Sequence, residues 1–230
     1  MSSMVEKKLL TRGILMLVSF TVVLVIIFMP IFKGQNGLDF LDSLFNSISK
    51  GSAYYITETM EKNKKYQGKI IDVKLTMPDE LHAVQTAKLF EASGATVTVS
   101  GSTLNVHGDI ANILHASLVD SDAMYANDGS KISSKYGYGE REAMFNWWKA
   151  LKEMDKDLKR QKLFEEAKIV ATVKKKAVEM AYNYYGIEAQ SVKDGLILIV
   201  FSLVFYVCYT LWYGFGIMFI FEGIGLKISH

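Results

Sequence analysis

Two long runs of apolar, uncharged residues lie near the two ends of the chain. The first covers residues 13–32 and the second covers residues 195–221. A helix rises about 1.5 Å per residue, so about 20 residues cross a hydrocarbon core of about 30 Å, and both runs are long enough. The second run exceeds what an untilted helix needs, so we expect it to tilt, to extend past the bilayer or to break, and Gly214 and Gly216 mark the expected position of a break. We therefore predict two transmembrane helices.

Two alternatives compete with this interpretation. A cleaved signal peptide would have an apolar region of about 7 to 15 residues, which the first run exceeds, and no small-x-small cleavage site follows Phe32. A helical hairpin within the second run would need a polar turn, and the run contains none. Both alternatives are disfavoured.

Basic residues beside the spans predict the orientation. The segment of residues 1–12 carries Lys7, Lys8 and Arg12, whereas the residues after the first span pair one Lys with two Asp. Basic residues are preferentially retained in the cytoplasm. We expect residues 1–12 and 222–230 to be short cytoplasmic tails of an inner-membrane protein, with the middle of the chain in the periplasmic or extracytoplasmic space.

The middle of the chain begins with helical patterns and continues with alternating ones. Residues 33–68 show apolar spacings of three and four, typical of an amphipathic juxtamembrane helical segment. Over residues 69–120, alternating runs predict three strands, and Asp79 and Asp109 can each cap a helix. The order β-α-β-β-α matches most of a ferredoxin-like unit, an analogy of architecture that carries no function.

The remainder is predicted as a polar loop and a long helix. Residues 121–139 are rich in Gly, Ser and Asp, which favours a loop. Residues 140–194 form a long helical segment, because no Gly or Pro interrupts it up to Tyr185. A bend within Lys152 to Lys162 or a hidden fold-back remains open. The fold class is an α+β membrane protein with two transmembrane helices flanking an extracytoplasmic α/β domain.

Charge and chemistry narrow the choice of function. The chain has 26 Lys and Arg residues and 24 Asp and Glu residues, and the surplus lies in the terminal segments. The neutral middle therefore predicts no nucleic-acid partner and no attraction to an anionic leaflet, since both require clustered positive charge.

No cofactor, metal or catalytic residue is expected. The lone cysteine, Cys208, lies in the second span, which excludes disulfides and thiolate clusters within one chain. Zinc would require convergence of histidines from separate elements, namely His82, His107 and His115. Calcium at the loop acids Asp120, Asp122 and Asp128 is a weak alternative, because the EF-hand spacing is missing. The short match Ser47-x-x-Lys50 lacks the other penicillin-binding motifs.

Two aromatic groups are the candidate contacts with other subunits. Aromatic residues are enriched at protein interfaces and at membrane surfaces. The alternatives are an interfacial belt or a quinone cleft for the first group, and core packing for the second, where we expect Trp148 to be the core residue. The candidate partner contacts are Tyr206, Tyr209, Trp212, Tyr213 and Gly214 in the second span, and Tyr136, Tyr138 and Trp147 in the domain.

The expected function is that of a cofactor-free, non-catalytic accessory or scaffold subunit of a larger membrane complex, with a respiratory or electron-transfer complex as the expected setting. It would contact other subunits and the lipid bilayer through both spans and the external domain. A self-associating, ring-forming scaffold is the alternative, because polysaccharide co-polymerases resemble this architecture. An enzyme built on carboxylates that the sequence does not pair is the third and weakest hypothesis.

Overall fold

The computed structural model describes residues 2–32 and 34–226. The predicted tail of residues 222–230 is therefore described only up to Leu226. The chain forms two compact units: the helical unit, Met1–Gly51 with Ala189–His230, and the α/β unit, Ser52–Glu188. The elements in chain order are α1 (Ser2–Phe28), α2 (Gly37–Ser52), α3 (Ile56–Asn63), β1 (Ile70–Thr76), α4 (Glu80–Ala92), β2 (Thr96–Ser100), β3 (Thr103–Asp109), α5 (Ile110–Tyr125), α6 (Ser130–Tyr136), α7 (Glu140–Arg160), α8 (Phe164–Val173), a π-helical turn (Lys174–Val178), α9 (Glu179–Tyr184) and α10 (Val192–Gly223).

The helical unit contains the two apolar helices. Met4–Phe28 and Gly195–Gly223 are long and apolar enough to cross a membrane, by length and composition. They run antiparallel, because Gly223 contacts Leu10 while Gly216 contacts Leu17. Helix α1 begins at Ser2, so the predicted tail is helical where it is described. One expectation is corrected, because α10 is one continuous helix with no break at its glycines.

Glycines bring α1 and α10 together at close range. A Cβ added to Gly13 would lie 2.8 Å from the carbonyl oxygen of Gly216, and one added to Gly223 would lie 2.6 Å from the nitrogen of Leu10. Real side chains do not fit at such distances, so these positions require glycine. Gly216 therefore serves helix packing, and the prediction that it interrupts the helix is wrong.

The α/β unit contains a three-stranded antiparallel sheet in the order β1-β3-β2. Along β1, exposed and buried residues alternate, and Val73 and Leu75 lie on the buried face opposite Val106 and Leu104 of β3. The predicted β-α-β-β-α order is confirmed. Asp79 accepts a hydrogen bond from the His82 amide at 2.9 Å, and the carboxylate of Asp109 accepts one from the Ala111 amide at 2.8 Å.

Helix α7 lies where a ferredoxin-like fold would place its fourth strand. The carboxylate of Asp157 accepts a hydrogen bond from the Lys74 amide at 3.1 Å, and the Gln161 side chain donates one to the Asp72 carbonyl at 2.7 Å. These two side chains satisfy the Lys74 N–H and the Asp72 C=O on the outer edge of β1. The edge is thereby protected from pairing with another strand.

The segments after α5 differ from the prediction. The expected loop over residues 121–139 is largely helical, because α5 continues to Tyr125 and α6 covers Ser130–Tyr136. The expected long helix is a hairpin: α7 ends at Arg160, Lys162 adopts φ 63°, and α8 packs back against α7. The left-handed residue at the end of a helix is usually glycine, but here it is Lys162. The sequence therefore has no glycine at this turn that would have predicted it.

Candidate functional site: surfaces of the two units

The predicted aromatic face of α10 is divided in the structure. The Tyr209 hydroxyl donates a hydrogen bond to the carbonyl of Phe20 in α1 at 3.0 Å, and the two rings stack with centroids 4.1 Å apart. Tyr213 also lies against Phe20, with centroids 5.1 Å apart. Tyr206, in contrast, is 69% exposed. Tyr209 therefore holds α1 and α10 together, which corrects its assignment to a partner surface, whereas Tyr213 contacts Phe20 and is still 47% exposed.

The remaining predicted residues of α10 have separate surroundings. Trp212 is half-buried, and its ring meets that of Tyr209 edge to face at 6.5 Å. A Cβ on Gly214 would find no atom within 4 Å. Close packing to α1 thus uses other glycines, and Tyr206 and Gly214 face outward from the helix pair.

The second predicted group surrounds a buried carboxylate. Trp147 is fully buried, and its indole nitrogen donates to Asp120 Oδ2 at 2.8 Å. The Tyr136 hydroxyl donates to the same oxygen at 2.5 Å, and Lys135 Nζ donates to Oδ1 at 2.9 Å. Burial raises the pKa of Tyr136 strongly, and the nearby carboxylate adds to that effect.

These contacts correct the prediction for Tyr136 and Trp147. Their polar atoms are directed at Asp120, so both side chains belong to the core and neither is available to a partner. Tyr138 is half-buried, its hydroxyl donates to the Gln85 carbonyl at 3.1 Å, and burial raises its pKa to about 12. Trp148, expected in the core, is partly buried and packs against the border of the core.

The acids proposed for calcium are held apart by different partners. Asp122 accepts a hydrogen bond from the Tyr54 hydroxyl at 2.7 Å, and Asp128 forms an ion pair with Lys131 at 2.7 Å. Within residues 2–32 and 34–226, no group of three His, Cys, Asp or Glu residues is placed to hold a metal. His82 and His107 each lie beside an aspartate of the surface, Asp79 and Asp72 respectively.

An aromatic groove lies between α7 and α9, and it was not predicted from the sequence. It is a cavity of about 270 Å³ that includes Phe145, Trp148, Glu179 and Tyr182 among its lining residues. The rings of Phe145 and Trp148 stack at 6.1 Å. The Trp148 indole nitrogen donates to the Glu179 carboxylate at 2.8 Å, which fixes the ring. The groove therefore presents preordered aromatic faces to the surroundings.

Cationic side chains surround this aromatic groove. Lys152 Nζ lies 5.0 Å from the centroid of the Trp148 ring, and Lys174 Nζ lies 6.0 Å from it. The guanidinium of Arg141 lies 5.8 Å from the centroid of Tyr182. Such contacts restrict both the rings and the cations. The rim is thus predominantly positive, with Glu179 as the anionic member.

Helical spacing explains the position of the groove. The core positions of α7 include Met144, Trp147, Leu151 and Leu158, all fully buried. Phe145 and Trp148 are one residue beyond two of these positions, so they flank the core stripe and meet α9 at its border. The signal available in the sequence was the pair of adjacent tryptophans, of which only one can occupy the core stripe.

Comparisons of the chain with protein-family models, with curated proteins and with solved structures found no match. The structure itself defines the class coarsely: a mostly helical protein with a small antiparallel sheet and two helices of membrane-spanning length.

Proposed function

We propose that this chain is a non-catalytic accessory subunit of a larger membrane protein complex, anchored by α1 and α10, which uses the aromatic groove of its α/β unit to contact a partner. The observation that carries the proposal is the groove itself. Phe145 and Tyr182 are 36% and 38% exposed, yet their neighbours hold them in fixed positions.

The composition of the groove supports protein recognition. Trp, Tyr and Arg dominate binding hot spots, because they combine a large apolar area with a few directional polar contacts. Trp148, Tyr182 and Arg141 provide this combination within one surface. Their preordering lowers the conformational entropy lost on binding, which favours affinity.

Membrane anchoring is supported by the two apolar helices. Their antiparallel packing brings Leu10 next to Gly223, so both ends of the pair lie on the same side. Given the basic residues before α1, we place both ends in the cytoplasm and the α/β unit in the extracytoplasmic space. The test is protease treatment of cells with an opened outer envelope, where full protection of the α/β unit would contradict this topology.

The decisive experiment is extraction from native membranes in mild detergent, followed by blue-native electrophoresis and mass spectrometry. We expect other membrane subunits to migrate with the wild-type chain, and haem or iron–sulfur subunits among them would place it in electron transfer. Trp148→Ala should release the partner, whereas Leu81→Ala, an equally simple truncation at an exposed residue of α4, should not. Migration of the chain alone would refute the accessory function.

One observation favours a second function, that of a self-associating scaffold. The outer edge of β2 has no hydrogen-bond partner within the described part of the chain, and its residues carry no charge. Antiparallel pairing of two copies about Thr98 would place Val97 opposite Val99 of the other copy. Val99→Lys should dissolve such an oligomer, since a charged edge resists pairing, and sedimentation in detergent would show it.

A further inference from the structure

A second cavity lies further along α7, on the helical hairpin that also forms the aromatic groove. This basic groove is a cavity of about 430 Å³ between α7 and α8. Its lining includes four lysines, one acid and one exposed ring: Lys159, Lys168, Lys175, Lys176, Asp155 and Phe164. Phe164 is 62% exposed at the end of the cavity. The aromatic groove and the basic groove together are called the combined groove.

The two cavities lie on one continuous side of the hairpin. Residues of α7 that line or flank them recur at steps of three and four: Arg141, Phe145, Trp148, Lys152, Asp155 and Lys159. From Arg141 to Lys159 the helix rises about 27 Å at about 1.5 Å per residue. The π-helical turn Lys174–Val178 lies where the cavities meet, and such turns are frequent at functional sites.

Positive charge in the basic groove is only partly compensated. Asp155 pairs with Lys159 at 2.8 Å, and Lys176 lies 5.1 Å from the centroid of the Tyr55 ring. Lys168 and Lys175 are exposed and form no ion pair with any residue that the structure describes. The groove therefore carries a surplus of cations that the neutral composition of the domain conceals.

We infer that the combined groove binds an acidic amphipathic segment of a partner protein, with apolar side chains against Trp148 and Phe164 and carboxylates along Lys168 and Lys175. This inference rests on the proposed function and names the kind of partner. Charge complementarity directs the choice of occupant and its register in the groove. A helix lying in a groove between two helices is an established mode of recognition.

The dimensions favour a protein segment over a lipid headgroup. The lysines and aromatic rings are distributed over about 27 Å, the length of about five helical turns. A single headgroup would meet only one end of this surface, and it would leave the aromatic groove without a role. An amphipathic segment satisfies both halves at once.

The test uses the full chain in nanodiscs of phosphatidylcholine. The probe is a fluorescent amphipathic peptide of about 18 residues with Glu on one face and Leu and Trp on the other, which matches the length of the groove. The reference peptide has Gln in place of every Glu. We expect the Glu peptide to bind about tenfold more tightly, and the difference to shrink when the salt concentration rises from about 50 to about 300 mM.

Charge reversal provides the matched comparison. Lys168→Glu with Lys175→Glu should weaken binding of the Glu peptide by about tenfold or more. Lys64→Glu with Lys65→Glu, the same charge change at exposed positions just after α3, should leave it unaltered. Because all four side chains are exposed, we expect both double variants to fold. A thermal unfolding temperature equal to that of the wild-type chain would verify this. Equal binding of both peptides, or insensitivity to the groove variant, would overturn the inference.

Three further outcomes separate the inference from the proposed function. If native partners stay with the groove charge variant but leave Trp148→Ala, the accessory function stands and the acidic partner does not. If the groove variant alters only association with phosphatidylglycerol nanodiscs, the ligand is lipid and the inference fails. If the wild-type chain brings no partner at all, the proposed function itself fails.

Discussion

Replacing Asp120 should destabilise the α/β unit more than replacing any exposed acid of the domain. Its carboxylate is almost fully buried and accepts hydrogen bonds from Tyr136, Trp147 and Lys135. These donors belong to α6 and α7, whereas Asp120 belongs to α5. The carboxylate thus joins three helices, and its loss affects the packing between them.

The expected magnitude follows from the donors left behind. In Asp120→Ala, the Tyr136 hydroxyl and the Trp147 indole lose their acceptor inside the core, at a cost of about 1–3 kcal/mol each. Lys135 is more than one-third exposed on its side chain and can turn to water. We expect a loss of about 3–5 kcal/mol. Asp120→Asn keeps an acceptor for two donors and relieves the buried charge, so about 1–3 kcal/mol is expected.

Urea unfolding of the full chain in non-ionic detergent measures this difference. The chain has three tryptophans, and a Trp212→Phe background leaves fluorescence from Trp147 and Trp148, both in the α/β unit. Asp122→Ala is the control, since its carboxylate accepts a hydrogen bond from the hydroxyl of the exposed Tyr54 and is not buried in the core. A loss below about 1 kcal/mol for Asp120→Ala, or one equal to the control, would refute the reasoning.

Three other predictions concern different parts of the structure. Because burial raises the pKa of Tyr136 and of Tyr138 above the unfolded value near 10, the stability that these two side chains contribute is present below about pH 10 and is lost as the pH rises further, at up to about 1.4 kcal/mol per pH unit for each tyrosine. Urea unfolding at rising pH should show this, with a shallower loss in Tyr136→Phe. Asp157→Ala should cost about 1–3 kcal/mol and raise deuterium uptake in β1, because the Lys74 amide loses its acceptor; unchanged uptake would contradict this. Gly13→Leu should destabilise the chain in detergent by about 1–3 kcal/mol and thereby lower its melting temperature, whereas Gly214→Leu should not, because a Cβ at Gly13 meets the backbone of α10 and one at Gly214 meets no atom within 4 Å; equal effects would argue against this packing.

The success of sequence reasoning depended on how local each signal was. Alternation in residues 71–77 and the capping positions of Asp79 and Asp109 depend on immediate neighbours, and the strands and helices there agree with the structure. The turn at Lys162 was not predicted, because a lysine adopts the left-handed conformation there and no glycine or proline marks the position. The long helix was consequently predicted where the chain folds back.

The roles of the two adjacent tryptophans could not be predicted from their neighbours in the sequence. Trp147 and Trp148 are adjacent, and both are strong candidates for an interface or for the core. Their roles follow from Asp120 on α5 and Glu179 on α9, each of which accepts one of the two indole N–H groups. Neither acceptor is near the tryptophans in the sequence. The assignment of the two residues was reversed for this reason.

Apolar length, residue periodicity and capping are properties of consecutive residues, so the two apolar helices and the β-α-β-β-α order could be predicted before the fold was known. Folding was needed to reveal that α7 covers the edge of β1, that Gly13 and Gly216 pack α1 against α10, and that lysines from α7 and α8 line one groove. These features arise from residues far apart along the chain. Average charge and periodicity do not specify which helix faces pack against each other, and it is this packing that forms the grooves and surfaces of the protein.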